Sequence, residues 1–411
     1  MAPIMSFEQM WRDLRPVGKS GTSGGYHRPA FGAAERECAA WFEEECLRRD
    51  LSTSRDGNGN VVAWWTRQPP ADHQRPASGG IVTGSHLDSV PEGGAYDGPL
   101  GVLSGFAAVD LLRDRGFLPS KPIGVASFVE EEGSRFGVAC LGSRLMTGAF
   151  SAERATELRD EAGTFLPDAM AAHGLEPTLG RSDLLDGVEC FVELHVEQGR
   201  DLVGRDAAIG VASAIWPHGR YRFDFAGEAN HAGTTRMEDR HDPVLTYAMT
   251  ALAANKQARL SGSRTTFGRV DVHPNATNAV PSHVTAWMDA RAETSQELES
   301  MVSEIERLAS ERAGRDGTSV RMGVESISAA VTFEPGLARR IATQDEGRDW
   351  PIIATMAGHD AGVISEAGVS TAMLFVRNPT GVSHSPEEFA ELADCEAGVV
   401  ALADTLQRLA S

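Results

Sequence analysis

Residues 81–102, IVTGSHLDSVPEGGAYDGPLGV, set the imidazole of His86 and the carboxylates of Asp88 and Asp97 into a run that, Glu92 aside, is otherwise apolar, small or glycine-rich. His86 follows an apolar stretch, and Asp88, two residues on, is near enough to orient the ring or to touch a cation beside it. Asp97 lies in GGAYDG, where glycines let backbone and side chain approach an ion closely. Alone, this stretch reads sooner as a surface histidine with two loop acids. A second cluster shifts the balance. VASFVEEEGSRFG gathers Glu130, Glu131 and Glu132 at the end of an apolar strand, and like charges packed together need a cation or a proton. The alternative there is an acid-rich helix N-terminus, which the macrodipole favours. CFVELHVEQG then delivers His195, flanked by Glu193, Glu197 and Gln198, and GVSHSPEEF offers His384. Imidazole and carboxylate are what zinc and its neighbours prefer.

These residues need a scaffold that brings them to one place. Residues 31–49 read as an amphipathic helix with Ala34, Cys38, Trp41 and Phe42 on one stripe, followed by the turn RDGNGN and the strand NVVAWW. GGIVTGSHLDSV is a buried strand running into a loop, LGVLSGFAAVDLLRDRG a helix, and KPIGVASFVEEEGSRFG a further strand with acids at its C-terminal end. The alternation predicts an α/β layer with a mostly parallel sheet whose ligands gather at the carboxyl ends of the strands. From residue 213 the grammar changes. GRYRFDFAGEANHAG, TTFGRVDVHP and HVTAWMDARA alternate as antiparallel strands, and PVLTYAMTALAANKQARL and SQELESMVSEIERLASERAG are helical. This order suits a split βαβ domain with helices on one face. IIATMAGHDAGVISEAGVSTAMLFVR returns to α/β layering, so the second domain reads as an insertion: 1–212 and 330–411 form one domain, 213–329 the other.

Composition narrows the classes. The chain has 411 residues, 41% of them hydrophobic and 23% charged, with a formal net charge of -20. A polyanion would be repelled, so neither nucleic acid nor an anionic membrane is expected as a partner. Five scattered cysteines without a CxxC pair speak against a disulfide framework or a thiolate zinc site and suit a reducing cytoplasm. No segment has the signature of an export signal or the ~18 apolar residues of a membrane span.

GSHLDSVPEGGAYDGPLGV, EEEGSRFG, ELHVEQG, GEANHAGTT, NATNAVPSHVTAWMDAR, AGHDA and GVSHSPEE, in this order, resemble the M20-type metallohydrolases. The nearest branch is that of N-carbamoyl-L-amino acid hydrolases, β-ureidopropionases and allantoate amidohydrolases. The resemblance implies a dimetal aminopeptidase-like α/β catalytic domain with an inserted α+β, ferredoxin-like lid and dimerisation domain, in a homodimer. It implies two divalent ions (zinc, manganese, cobalt or nickel), one on His86 and His195, the other on Glu132 and His384, with Asp97 as the bridge. Asp88 would hold His86, and Glu131 would be the general base, taking the proton of a water acidified by the ions. Glu130 has no firm role. In the inserted domain His231 and Asn278 would steady the oxyanion, in their own or the partner chain's site, and Arg291 would take a substrate carboxylate. An ordinary surface salt bridge is the other reading of Arg291. Gln198 and His359, with Asp360 beside it, would line the substrate.

The implied reaction is hydrolysis of a small N-carbamoyl-L-amino acid to the amino acid, ammonia and carbon dioxide. Alternatives are allantoate hydrolysis or an aminoacylase or dipeptidase activity on the same core. A non-catalytic binding protein on this fold would have lost a ligand or the base, and all six are present. Arg377 and Asn378 either read the far end of the substrate or shape the loop before His384. His27, His73, His173, His218, His241, His273 and His283 match no ligand position.

Overall fold

Apolar, β-branched runs become the buried strands, and glycine- or proline-marked turns set where they stop. The computed structural model describes residues 6–67, 76, 80–344 and 347–411; His73 lies outside them. In chain order the strands are β1 (Ser52–Arg55), β2 (Val61–Trp65), β3 (Ile81–His86), β4 (Ile123–Phe128), β5 (Cys190–Val196) and β6 (Ile209–Ile215). There follow β7 (His218–Ala226), β8 (Asn230–His231), β9 (Arg264–His273), β10 (Ala279–Val280), β11 (His283–Arg291) and β12 (Ser319–Ser328). The last are β13 (Val331–Thr332), β14 (Ile352–Thr355) and β15 (Ser370–Val376). Two compact units result, Met1–Ser213 with Thr332–Ser411, and Ala214–Val331.

The first unit is built on a sheet of order β1-β2-β4-β3-β5-β15-β6-β13, with β14 also paired to β6. A mostly parallel sheet was the expectation; β4/β3, β3/β5 and β5/β15 are parallel, while β1/β2, β2/β4 and β15/β6 are antiparallel. The reason lies in the connections. RDGNGN between β1 and β2 is too short for anything but a hairpin, whereas helix Pro99–Asp114 carries the chain from β3 across to β4 as a parallel neighbour. Every residue of β3, β4 and β5 is buried, as strands covered on both faces must be. Leu100 and Phe106 of the crossover helix and Leu402 of helix Leu392–Ala410 belong to the same core as Val125 and Leu194. Because these strands run parallel, their carboxyl ends share one edge: His86 pairs with Phe128, and His195 with Phe375.

The second unit is an antiparallel sheet of order β12-β7-β11-β9 with helices Pro243–Ser261 and Ser295–Asp316. Strand β7 alternates buried and exposed residues, and Phe223 and Phe225 pack with Val284, Ala286, Met301 and Ile305. The second helix begins in a capping box between Thr294 and Glu297 and ends at Gly317, whose φ of 66° suits a residue without a side chain. Among the described residues no helix is long and apolar enough to cross a membrane.

Candidate metal centre

His86 closes β3, and its ring is held from behind. Nδ1 lies 3.2 Å from the Asp88 carbonyl and 3.3 Å from Asp88 Oδ1, so it carries the proton and leaves a lone pair on Nε2. The Asp88 carboxylate also accepts the backbone N–H groups of Glu131 and Glu132, each at 3.2 Å, and so ties the end of β3 to the acid loop after β4. Gly98 (φ 83°) is obligatory for this approach, because a Cβ there would sit 2.5 Å from the His86 ring. His195, near the end of β5, repeats the pattern: Nδ1 donates to the Val196 carbonyl at 2.9 Å, and Nε2 is left with its lone pair.

Both Nε2 atoms are buried without a hydrogen-bond partner. They face one oxygen, Asp97 Oδ1, at 3.4 Å from His86 and 3.2 Å from His195. Two lone pairs turned toward a carboxylate oxygen repel unless positive charge lies between them. The other oxygen, Asp97 Oδ2, is 3.5 Å from His384 Nε2, which in turn is 3.4 Å from Glu132 Oε2. Two donor groups follow, His86/Asp97/His195 and Asp97/Glu132/His384, with the ligand atoms of each within 4.8 Å of one another. A third cluster, Glu193/His195/His359, shares His195, and its Glu193 oxygens are already taken by Ser85 Oγ at 2.7 Å and the Ala361 N–H at 3.2 Å.

The acid loop starts no helix; the next one begins at Leu141. Glu130 adopts φ 52° and accepts the N–H groups of Arg135 and Phe136 at 3.0 and 2.6 Å, which clips the loop shut. Glu131 is thereby free to reach inward. Its Oε1 accepts Cys140 Sγ at 3.4 Å and its Oε2 stands 3.6 Å from His86 Nε2.

Electrostatics argue for a cation. Burial, with Asp360, Glu132 and Asp97 adding to it, holds Glu131 well above the usual carboxyl range despite His86. Burial and Asp97 push Glu132 up to about 7, and burial with Glu193 does the same to Asp360. Burial opposes charge on Asp97 too; positive charge on His195, His384 and His86 outweighs it and holds Asp97 well below its ordinary value, the part a cation plays where the rings keep their lone pairs. The hydrogen bond to Asp97 raises the half-exposed His384 to about 9. A pocket with this surplus of buried carboxylate stays ionised only beside added positive charge, and its imidazole and carboxylate donors suit borderline divalent metals.

Gln198, expected along the substrate, donates to Asp97 Oδ2 at 2.8 Å. His359 is buried with its ring 4.5 Å from that of His195, and burial together with His195 holds it neutral. Arg377 and Asn378 turn out to shape the loop: Arg377 forks onto Asp394 at 2.8 and 3.0 Å, and Asn378 accepts from the backbone of Thr380 and Gly381 and donates to the Val382 carbonyl.

In the second unit, pairing of β8 with β10 sets His231 opposite Ala279, next to Asn278. His231 Nδ1 accepts the N–H groups of Gly233 and Thr234 at 3.0 and 3.2 Å, so the proton sits on the exposed Nε2, a donor facing outward. Arg291 pairs with Asp289 at 2.8 and 3.2 Å.

Residues 82–408 match the family model of Peptidase family M20/M25/M40. The chain belongs to this family of hydrolases. M20 enzymes are generally metal-dependent, in keeping with the two donor groups. The chain is 33% identical to the N-carbamoyl-L-amino acid amidohydrolase of Geobacillus stearothermophilus, over 98% of each chain. It is 36% identical to the allantoate amidohydrolase of Bacillus subtilis (strain 168), over 88% of this chain and 87% of that one. The crystal structure of an amidase of the hydantoinase/carbamoylase family from Burkholderia multivorans superposes with a TM-score of 0.85 at 27% identity, covering 98% of each chain.

Proposed function

We propose that this M20 protein is a dimetal amidohydrolase that cleaves the carbamoyl C–N bond of N-carbamoyl-L-amino acids, releasing the L-amino acid, ammonia and carbon dioxide. The division of Asp97 between two donor groups carries the reading: Oδ1 faces His86 and His195, Oδ2 faces His384 beside Glu132. These residues would hold two divalent ions (zinc, manganese, cobalt or nickel) bridged by Asp97. When bound, such a pair lowers the pKa of water at the site and polarises the scissile carbonyl.

The chain's own groups supply the rest. Glu131, fixed by Cys140 on one oxygen, takes the proton of the attacking water with the other and delivers it to the leaving nitrogen. His231 donates from Nε2 and Asn278 from its amide to the developing oxyanion. Arg291 exchanges Asp289 for the α-carboxylate, a planar acceptor that matches its fork. His359, held neutral by burial and His195, and Gln198 contact the carbamoyl group.

The Geobacillus relative supports this substrate class. A second reading, allantoate hydrolysis, is favoured by the Bacillus relative at 36% identity; it would use the same residues on another ureido compound. Five free, buried cysteines suit a reducing cytoplasm. Leu245, Met249 and Leu252 leave an apolar stripe exposed on helix Pro243–Ser261, which suits a homodimer. To test the function, protein stripped with a chelator is assayed for ammonia and L-amino acid release from N-carbamoyl-L-amino acids, then reloaded with Mn²⁺. Activity that disappears and returns supports the reading; activity indifferent to the chelator, with no bound ion, refutes it.

A further inference from the structure

Glu388 comes from the last motif of the chain and reaches back into the first. It is buried, its Oε1 accepts the backbone N–H groups of Tyr96 and Asp97 at 2.8 and 3.0 Å, and its Oε2 accepts Ser383 Oγ at 3.0 Å. The carboxylate presses so close to Gly94 that a Cβ there would lie 2.3 Å from it. Gly94 of PEGGAYDG is thus needed to admit this side chain, and not only to let Asp97 approach an ion.

Ser383 makes the contact consequential. Its Oγ is also 3.2 Å from Asp97 Oδ2 and accepts Gln198 Nε2 at 3.4 Å. A hydroxyl has a single proton, so only one of the two carboxylates can receive it. Asp97 Oδ2 is the oxygen that faces His384 and Glu132 in the second donor group. Gln198 Nε2 already donates to this oxygen at 2.8 Å, so a further proton from Ser383 would occupy the lone pair that remains for a cation.

We propose that Glu388 is a positioning residue for the second cation site: it draws the Ser383 proton away from Asp97 Oδ2 while its other oxygen fixes the backbone of Tyr96 and Asp97. The inference rests on the dimetal reading above. Glu388→Gln isolates the effect. The two backbone donors oblige the amide oxygen to face Tyr96 and Asp97, which turns the NH₂ group toward Ser383 Oγ. Ser383 must then give its proton to Asp97 Oδ2.

Full-length protein, stripped with a chelator, is titrated with Mn²⁺ by equilibrium dialysis at pH 8, with His384→Ala as the one-ion reference. Wild type should take up two ions. E388Q should bind the first as wild type does and the second about tenfold or more weakly, a size typical of lost support around a ligand. Ser383→Ala in the E388Q background should restore the second affinity to within about threefold of wild type, a rescue that a purely architectural Glu388 would not give. S383A alone should keep both ions, and this arm stands even if E388Q does not fold. Unchanged second-ion affinity in E388Q, no recovery in the double variant, or loss of the second ion in S383A each overturns the proposal. A wild type that takes up fewer than two ions overturns the dimetal reading instead.

Discussion

Replacing Glu131 with glutamine separates the chemistry from the metal sites. The carboxylate belongs to neither donor group, and it is held by Cys140 at Oε1 while Oε2 looks toward His86 at 3.6 Å. Glutamine has the same shape, can still accept from the Cys140 thiol, and cannot take up a proton. The variant should therefore keep both ions and its substrate affinity. Its kcat should fall by roughly 10² to 10⁴, the ordinary share of a general base, or about 3–5 kcal/mol of barrier. Glu132→Gln makes the contrast. Glu132 is one of the three donors of the second group, beside His384 and Asp97, so this variant should lose one ion or bind it roughly tenfold or more weakly. Metal analysis after dialysis and ammonia release at saturating substrate read the two effects separately. If Glu131→Gln loses an ion while Glu132→Gln keeps both and turns over slowly, the roles are reversed and the reasoning fails.

Three other outcomes follow from individual residues. Arg291→Lys keeps the charge but loses the planar fork, so kcat/KM for carbamoyl amino acids should fall sharply, and Arg291→Ala should fall further; amidated substrates should be poor for wild type and lose little more in either variant, and equal losses on both substrate types would make Arg291 architectural. Glu35, buried and accepting the Phe31 N–H at 3.2 Å, is pushed up to about 7 by burial and then by Asp88. A raised carboxyl pKa means the folded state binds the extra proton between the unfolded value and 7, so its contribution to stability falls as pH rises through that window. Glu35→Gln should accordingly gain on the order of 2 kcal/mol relative to wild type between pH 5 and pH 8 in urea titrations, and a pH-independent difference would refute it. Leu252→Glu, on the exposed stripe of helix Pro243–Ser261, should shift a dimer toward monomer in sedimentation velocity; an unaltered dimer would place the interface elsewhere.

The sequence made the ligand-bearing strands legible because β3, β4 and β5 are largely apolar runs that deliver their histidines, or the acids that follow them, at or near their carboxyl ends. Its antiparallel flanks were hidden, since which strands become neighbours depends on connection length and crossover rather than on composition. Within the site, His86, Asp97, Glu132, His195 and His384 could be listed from motif and type, and they do gather into two groups. What local pattern could not tell was which polar neighbours face substrate and which face protein. Arg377, at one end of the loop that carries His384, is spent on Asp394. Glu388 is 291 residues from the Asp97 backbone it holds, and the thiol of Cys140 meets Glu131 only because the acid loop folds back on itself. Contacts of that separation leave no periodicity to read.

The most direct test is a comparison of kcat/KM for ammonia release by the metal-loaded enzyme on N-carbamoyl-L-amino acids, allantoate, N-carbamoyl-β-alanine and N-acyl-L-amino acids, the last followed by amino acid release. The account predicts that an N-carbamoyl-L-amino acid is the best substrate and that its D-enantiomer is poor. Preference for allantoate would move the enzyme to the second reading, whereas efficient cleavage of N-acyl amino acids with no ammonia from any carbamoyl compound would contradict the account.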